Sequence, residues 1–423
     1  MRLLYVLASW VAFWLVVPFL SVFRKTRDGF RQRLGFYPGG LLPAGAGPRL
    51  WLHGASAGDL LALSPMIDRL RARFPTAKII ISTITNTGFL MGREKLMKHV
   101  DAVVYAPWDT WGATRRAVKA IAPDLLVLEY AEIWPNLIRA AKTSGAKVAL
   151  TNGRFSTRNL PRYRAFFRLI ENPLLDIDVL LMREDDEAER ALSLGAPKER
   201  VLVTGNTKFD ALAPPAEAAE IPNLRHMLGL PQTGARVWIV GSTHEGEEDI
   251  LLGVYRRLLE TSPDLKLIIA PRYLERADRV RGLVEAAGLA VALRSKGNTT
   301  GAPVVVLDSI GELASAYKLA TIVFVGGSFT LRGGQNILEP AAQGKPVLFG
   351  PHMENFRDSV QVLVGRGGIQ VNDPDHLYRV VTELLSQPGE LESLGELALA
   401  TVQQVSGASE RNVDCLVGLL KPA

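Results

Sequence analysis

Short apolar runs bounded by glycine, serine, threonine or charge recur along the chain, separated by longer stretches with helical periodicity. Residues 49–53 (RLWLH), 78–82 (KIIIS), 103–106, 124–128, 147–151, 179–182 and 201–204 (VLVT) read as strands. Between them, stretches such as 60–74 and 135–144 repeat apolar residues at helical spacing. A second series begins at 237–240 (VWIV) and continues through 267–270, 304–307, 321–325 (TIVFV) and 345–350, with closing helices expected from about 377 to 420. Alternation of buried strands with helices argues parallel, doubly wound sheets. The segment 211–222 (ALAPPAEAAEIP) reads as a linker between the series. The predicted fold class is α/β: two Rossmann-like domains facing across a cleft, at 31–215 and 216–423, with the last helix free to cross back to the first.

The N-terminal pattern differs. Residues 3–23 form an uncharged apolar run of 21 residues, followed by Arg24, Lys25, Arg27, Arg31 and Arg33. That length suits a membrane-anchor helix, and the basic flank would keep the body in the cytoplasm. Segment 1–30 is therefore expected to be an anchor with a basic juxtamembrane stretch. No small-residue cleavage site precedes the arginines, which argues against a removed signal peptide. Within 423 residues the net charge is only +6, and the basic cluster abuts the apolar run without aromatic interleaving, so nucleic acid is not an expected partner. The one cysteine, Cys415, excludes a disulfide framework or a multi-cysteine metal site.

Polar loops follow the predicted strands, where an α/β sheet binds its ligands. The richest is 326–352, GGSFTLRGGQNILEPAAQGKPVLFGPH. Its glycine pairs permit close approach of backbone to a ligand, and a helix starting at about Asn336 would offer N–H groups to an anion. Gly333 and Gly334 would then lie beside a phosphate, and Glu339 could accept from ribose hydroxyls. A glycine-rich turn with Glu339 as a first-turn charge accounts for the same residues. The six histidines fall at no metal-ligand spacing, and no Gly-x-Ser-x-Gly elbow occurs.

Taken together, Ser56-Ala-Gly-Asp59, Thr83–Gly88, Glu132-Ile-Trp-Pro-Asn136, Asn152-Gly-Arg154, Gly205–Asp210, Ser242–Glu247, Ala270-Pro-Arg272, Gly326-Gly-Ser328, Arg332–Pro340 and Phe349-Gly-Pro-His352 resemble the 3-deoxy-D-manno-octulosonic acid (Kdo) transferases over nearly the whole chain. The resemblance implies the glycosyltransferase B fold and an inverting mechanism without metal or cofactor. It implies CMP-Kdo as donor, the lipid A precursor as acceptor, and a place on the cytoplasmic face of the bacterial inner membrane. By position, Asp59 stands where the family has a glutamate general base, and Glu132 with Ser56 and Arg154 would place sugar and acceptor. The donor would be held by Arg272, Gly333, Gly334, Gln335, Asn336 and Glu339, with Ser242, Thr243 and Lys208 as weaker members. Each has a plainer reading: Asp59 as a helix N-terminal charge, Glu132 as a cap, Ser242 and Thr243 as turn hydroxyls, Lys208 as a solvated lysine. Four positions depart from the family pattern: Asp59 for glutamate, Tyr130 for the first acid of the acidic loop (Glu129 precedes it by one), and Tyr273 and Gln335 for histidines. These leave open a paralogue with another sugar nucleotide or lipid, or an idle scaffold binding nucleotide or lipid.

Overall fold

The computed structural model describes residues 10, 11, 13, 27–210, 220–297 and 299–420. The expected anchor, 3–23, lies outside the described residues except for Trp10, Val11 and Phe13, as does 211–219 of the expected linker. Among the described residues no helix is long and apolar enough to cross a membrane. Of the basic cluster, Arg33 is not a surface charge. Its side chain is buried, donates to the Asp28 and Ile84 carbonyls, and stacks on the Tyr105 ring.

Contacts divide the chain into two units. The first comprises residues 1–211 and 405–423, and the second 212–404. The second unit thus ends at residue 404, and the last helix makes the crossing back to the first unit that the sequence left open. Each unit is built on one seven-stranded, fully parallel sheet. In the first, β1 (Arg49–His53), β2 (Lys78–Thr83), β3 (Ala102–Tyr105), β4 (Leu125–Glu129), β5 (Lys147–Gly153), β6 (Val179–Met182) and β7 (Val201–Val203) lie in the order β3-β2-β1-β4-β5-β6-β7. Helices α1 (Ala57–Arg73), α2 (Trp111–Ile121), α3 (Pro135–Thr143), α4 (Leu160–Ile170) and α5 (Asp185–Ser193) cover the sheet. Both faces are buried, so strand residues divide between two cores: Trp51 packs with Val118, Ile138 and Phe167 on one side, Leu50 and Leu52 with Leu63 and Ile67 on the other.

The second unit holds β8 (Val237–Thr243), β9 (Lys266–Pro271), β10 (Val291–Leu293), β11 (Val304–Val306), β12 (Ile322–Val325), β13 (Val347–Phe349) and β14 (Gly368–Gln370), ordered β10-β11-β9-β8-β12-β13-β14. Its helices include α6 (Glu248–Thr261), α7 (Leu338–Ala342), α8 (Pro374–Ser386) and α9 (Pro388–Val405). The last helix, α10 (Ala408–Leu420), buries Val413 and Leu416 in the first unit's core. Asp210 accepts from the Gly407 and Ser409 N–H groups at its start, and Glu410 accepts from Arg69 and Arg73 of α1.

In each sheet the chain changes direction once, between β1 and β4 in the first and between β8 and β12 in the second. A crevice outside the carboxyl ends of the strands at such a switch point is where open α/β sheets bind ligands. The loops after β1 and β4, and those after β8 and β12, carry the motifs singled out in the sequence.

Candidate functional site

In the first unit, β1 ends at His53 and runs through Gly54 into α1, whose N-cap is Ser56. The Ser56 N–H donates to Asp59 Oδ2 at 2.8 Å while Ser56 Oγ accepts from the Asp59 N–H at 3.4 Å, a complete capping box. Asp59 therefore does serve its helix terminus, through one carboxylate oxygen. Among the described residues its other oxygen has no hydrogen bond, and the side chain is only half-buried.

Across the switch point, Glu129 at the end of β4 is wholly buried. It accepts from Thr151 Oγ1 at 2.6 Å and from Asn152 Nδ2. Asn152 also accepts from the Thr207 N–H at 2.9 Å, and Thr207 donates to the Ala62 carbonyl of α1 at 3.0 Å. Burial is the main force lifting the Glu129 carboxyl, to about 8, and the Asp59 charge adds to it against the Thr151 and Asn152 hydrogen bonds and the Lys208 charge. Tyr130 (φ 57°) and Asn152 (φ 50°) hold left-handed backbone at these strand ends, a strain that clusters at functional sites.

The plainer reading of Glu132 does not hold. Helix α3 receives its N-terminal acceptor from Asp109, whose carboxylate takes the Asn136 and Leu137 N–H groups at 3.2 and 2.8 Å. Glu132 instead accepts from the Trp134 indole at 2.8 Å and lies 3.5 Å from His53 Nε2. Ser82 Oγ accepts the Trp51 indole N–H at 2.8 Å and stands 3.0 Å from His53 Nδ1. Ser82 Oγ thus bridges the Trp51 indole and the His53 ring, whose Nε2 faces Glu132. Arg154 is exposed after β5. Lys208, grouped in the sequence with the donor residues, stands in this unit, 5.4 Å from the Tyr130 ring centroid and within electrostatic reach of Glu129. Neither unit by itself joins it to the donor set.

In the second unit a carboxylate that sequence reasoning left without a role organises the switch point. Glu247, fully buried, accepts from four backbone N–H groups: His244 (3.0 Å), Gly327 (2.6 Å), Ser328 (2.9 Å) and Phe329 (2.9 Å). It ties the loop after β8 to the loop after β12. A Cβ on Gly326 would come within 2.7 Å of Ser242 O and Thr243 Cα, so only glycine fits there. Thr243 is buried and donates to Glu248 at 3.0 Å, which Arg276 holds at 2.9 and 3.2 Å. Its hydroxyl donates inside the fold, as the plainer reading of a turn hydroxyl expects. Ser242 sits at φ 57°, another strained strand end.

Around this clamp lie the donor candidates. His244 Nδ1 is 3.1 Å from the Ser242 carbonyl, and the ring meets Tyr273 edge-on at 5.8 Å. Burial lowers its pKa, and the Arg332 and Arg272 charges lower it further, against Glu247 and the Ser242 carbonyl. Arg272 and Arg332 are exposed, and neither forms an ion pair among the described residues. Glu339 accepts from Asn336 Nδ2 at 3.2 Å; burial raises its carboxyl above the usual range, and the Asn336 hydrogen bond and Arg272 charge oppose this. Arg272, Arg332, His244, Gln335, Asn336 and Glu339 thus converge on one loop cluster.

The glycine pair also has a packing role. Gly333 and Gly334 are left-handed (φ 81° and 78°), and a Cβ on either would strike Asn355 or Met353 at 2.3 Å. Their left-handed backbone, packed against 353–355, suits glycine. The helix expected from Asn336 is the five-residue α7, with Asn336 Oδ1 accepting the Leu338 N–H at 3.1 Å, so it offers little helix dipole to an anion. Among the described residues no three of His, Cys, Asp and Glu gather in a metal-sized cluster. The signal for the overlooked residues was present: Glu247, His244 and Arg332 all fall inside the quoted loops.

Comparison with known proteins gives a match to the family of 3-deoxy-D-manno-octulosonic-acid transferases (kdotransferase) over residues 28–211. A 3-deoxy-D-manno-octulosonic acid transferase of Haemophilus influenzae is 31% identical over 96% of this chain and 95% of its own length. Among solved structures, UDP-GlcNAc 2-epimerase from Neisseria meningitidis, bound to UDP-GlcNAc, matches with TM-score 0.58 and 16% identity over 88% of this chain and 100% of that one. A glycosyltransferase from Rickettsia africae matches with TM-score 0.55 and 12% identity, over 90% and 100%. At those identities the two structures report shared fold alone.

Proposed function

The chain belongs to the 3-deoxy-D-manno-octulosonic acid transferase family, and from that premise we propose that it is an inverting glycosyltransferase of the glycosyltransferase B fold moving Kdo from CMP-Kdo to the lipid A precursor of lipopolysaccharide. The observation that carries this is 31% identity to a Kdo transferase across 96% of the chain. The loop cluster of the second unit supports it. Arg272 and Arg332 offer exposed guanidinium groups without an ion pair among the described residues, which suit both the nucleotide phosphate and the carboxylate of the sugar acid. Glu339 and Asn336 supply acceptors and donors for the nucleoside.

In this reading Asp59 takes the proton of the acceptor hydroxyl through the oxygen its capping box leaves free. The acceptor oxygen forms the new bond to the anomeric carbon as the bond to the CMP phosphate breaks on the opposite face. The arginines stabilise the departing phosphate, so the step needs no metal. Glu132, with His53, Ser56 and Arg154, orients the sugar and acceptor. The enzyme works at the cytoplasmic face of the inner membrane, held there by the N-terminal apolar segment.

Incubation of the purified protein with CMP-Kdo and lipid A precursor, in buffer containing EDTA, tests this by mass spectrometry of the lipid. A mass gain of Kdo with matching CMP release is expected. Release of nucleotide only from a different activated sugar would assign the chain another donor, and activity lost in EDTA and restored by a divalent cation would overturn the metal-free step.

A further inference from the structure

Helices α2, α3 and α4 turn Val118, Ile138 and Phe167 toward the same core, over one face of the first sheet, so their opposite sides form one outward layer. That layer has an unusual composition. Arg115, Arg116 and Lys119 lie on α2, Arg139 and Lys142 on α3, and Arg162, Arg164 and Arg168 on α4, while none of the three helices contains an aspartate or glutamate. Neighbouring elements answer only part of this charge. Asp178 pairs with Lys142 at 2.7 Å, and Glu171 lies 3.9 Å from Arg139. Arg115 and Arg116 stack on Trp111 and Phe36, and Arg162, Arg164 and Arg168 have no ion pair among the described residues.

Large apolar side chains stand among these cations. Leu169 is 63% exposed, Trp111 50%, Phe36 49% and Phe166 38%. On α4 only Phe167 and Ile170 are buried. Between α2 and α3 runs a groove of about 450 Å³ with Val118 and Ala140 in its wall and Arg115, Lys119 and Arg139 around it. Charge alone would suit any polyanion. Exposed leucine, phenylalanine and tryptophan beside arginine suit a surface that is anionic at its head groups and apolar just beneath. A phosphodiester backbone has no use for Leu169. The exposed cluster of Arg93, Lys95 and Lys98 includes Glu94 and lies apart from these helices in the chain.

We propose that the acid-free face of α2, α3 and α4 docks on an anionic phospholipid bilayer, with Trp111, Phe166 and Leu169 entering the boundary between head groups and acyl chains. This deepens the membrane location given above but does not depend on sugar transfer, since docking needs neither donor nor acceptor.

The full-length Cys415→Ser protein, labelled with an environment-sensitive fluorophore through Ala165→Cys on α4, provides the test. Vesicles of phosphatidylglycerol with phosphatidylcholine should shift its emission to the blue, and phosphatidylcholine alone should not. The same label at Lys296→Cys should not respond to either. The triple change Arg162→Glu, Arg164→Glu, Arg168→Glu should weaken the response about tenfold or more, as should added salt. Leu169→Ser should weaken it with all charges kept. Kdo transfer to detergent-dispersed acceptor should be unchanged in these variants. The proposal fails if the α4 label stays in water with anionic vesicles, if neutral vesicles shift it equally, or if only single-stranded RNA shifts it. It also fails if the triple variant loses transfer in detergent while vesicle binding stays intact, which would make these arginines acceptor ligands.

Discussion

Asp59 closes the capping box at the start of α1 with the same carboxylate assigned to catalysis, so its replacements must be chosen to separate the two roles. Asparagine keeps a side-chain acceptor for the Ser56 N–H but removes the base. Asp59→Asn should therefore melt close to the parent, within the range of about 0.5–2 kcal/mol that a cap contributes, and lose Kdo transfer by a hundredfold or more, while CMP binding measured by calorimetry is kept. Asp59→Glu restores the acid most often found at this position of a capping box, so any change in turnover reports reach alone. Glu129 makes a second prediction. Its neighbours by charge are Asp59, which disfavours a second negative group, and Lys208, which favours it, but burial dominates and places its pKa at about 8 against an ordinary value of 4.5. The folded state then holds a proton that the unfolded chain has released, so stability falls as pH rises from about 5 to 8, by at most roughly 1.4 kcal/mol per unit. Glu129→Gln should flatten that dependence in thermal melts across the range: slightly less stable than the parent at pH 5 and more stable at pH 9. A parallel slope in the two proteins would show that Glu129 is ionised throughout. The residue types at this end of the sheet were readable in the sequence, but the burial of Glu129 was not, because it depends on β4 being enclosed within the sheet between β1 and β5.

At the scale of elements, the central strands were readable because parallel strands covered on both faces are apolar almost throughout. The three-residue edge strands β10 and β14 were not, since edges this short carry too few apolar positions to form a pattern. The loop after β12 was recognised as special for an incomplete reason. Its glycine pairs pointed to a ligand; Gly333 and Gly334 are in addition left-handed and packed against Met353 and Asn355 from the loop after β13. The organiser of the loop, Glu247, comes from the loop after β8, eighty residues away from Gly327 by chain position. A buried carboxylate holding four N–H groups cannot be removed without leaving them unsatisfied. Glu247→Ala should cost about 3 kcal/mol or more and weaken CMP binding together with stability, because Gly327 and His244 lose their common tether. Glu248→Ala, which breaks the neighbouring Arg276 pair but leaves that tether, should lower the melting temperature with a smaller effect on CMP affinity. If both variants bind CMP as the parent does, the clamp has no part in shaping the donor site.

For the molecule as a whole, two sheets each with one switch point explain why loops scattered through the sequence fall into only two clusters, and the path of the C-terminus decides which unit depends on the last residues. A boundary read linearly would make 406–423 part of the second unit, and their loss would then damage nucleotide binding. The contacts say otherwise. Val413 and Leu416 fill the core beside α1, Asp210 holds the first turn of α10, Arg411 donates to the Thr204 carbonyl at 2.9 Å, and Glu410 with Asp414 answers Arg69 and Arg73. A chain ending at residue 405 exposes the apolar surface that α10 covered on the first unit. Hydrogen exchange should therefore rise through α1 and the β1 and β2 strands, with the second sheet protected as before. Kdo transfer should fall with that loss of order, while CMP affinity stays within a few-fold of the full chain. Asp210→Ala, which removes only the acceptor for two N–H groups, should reproduce the same pattern more weakly, at about 1–2 kcal/mol. Increased exchange confined to β8–β14 would reverse the assignment and give the last helix back to the second unit.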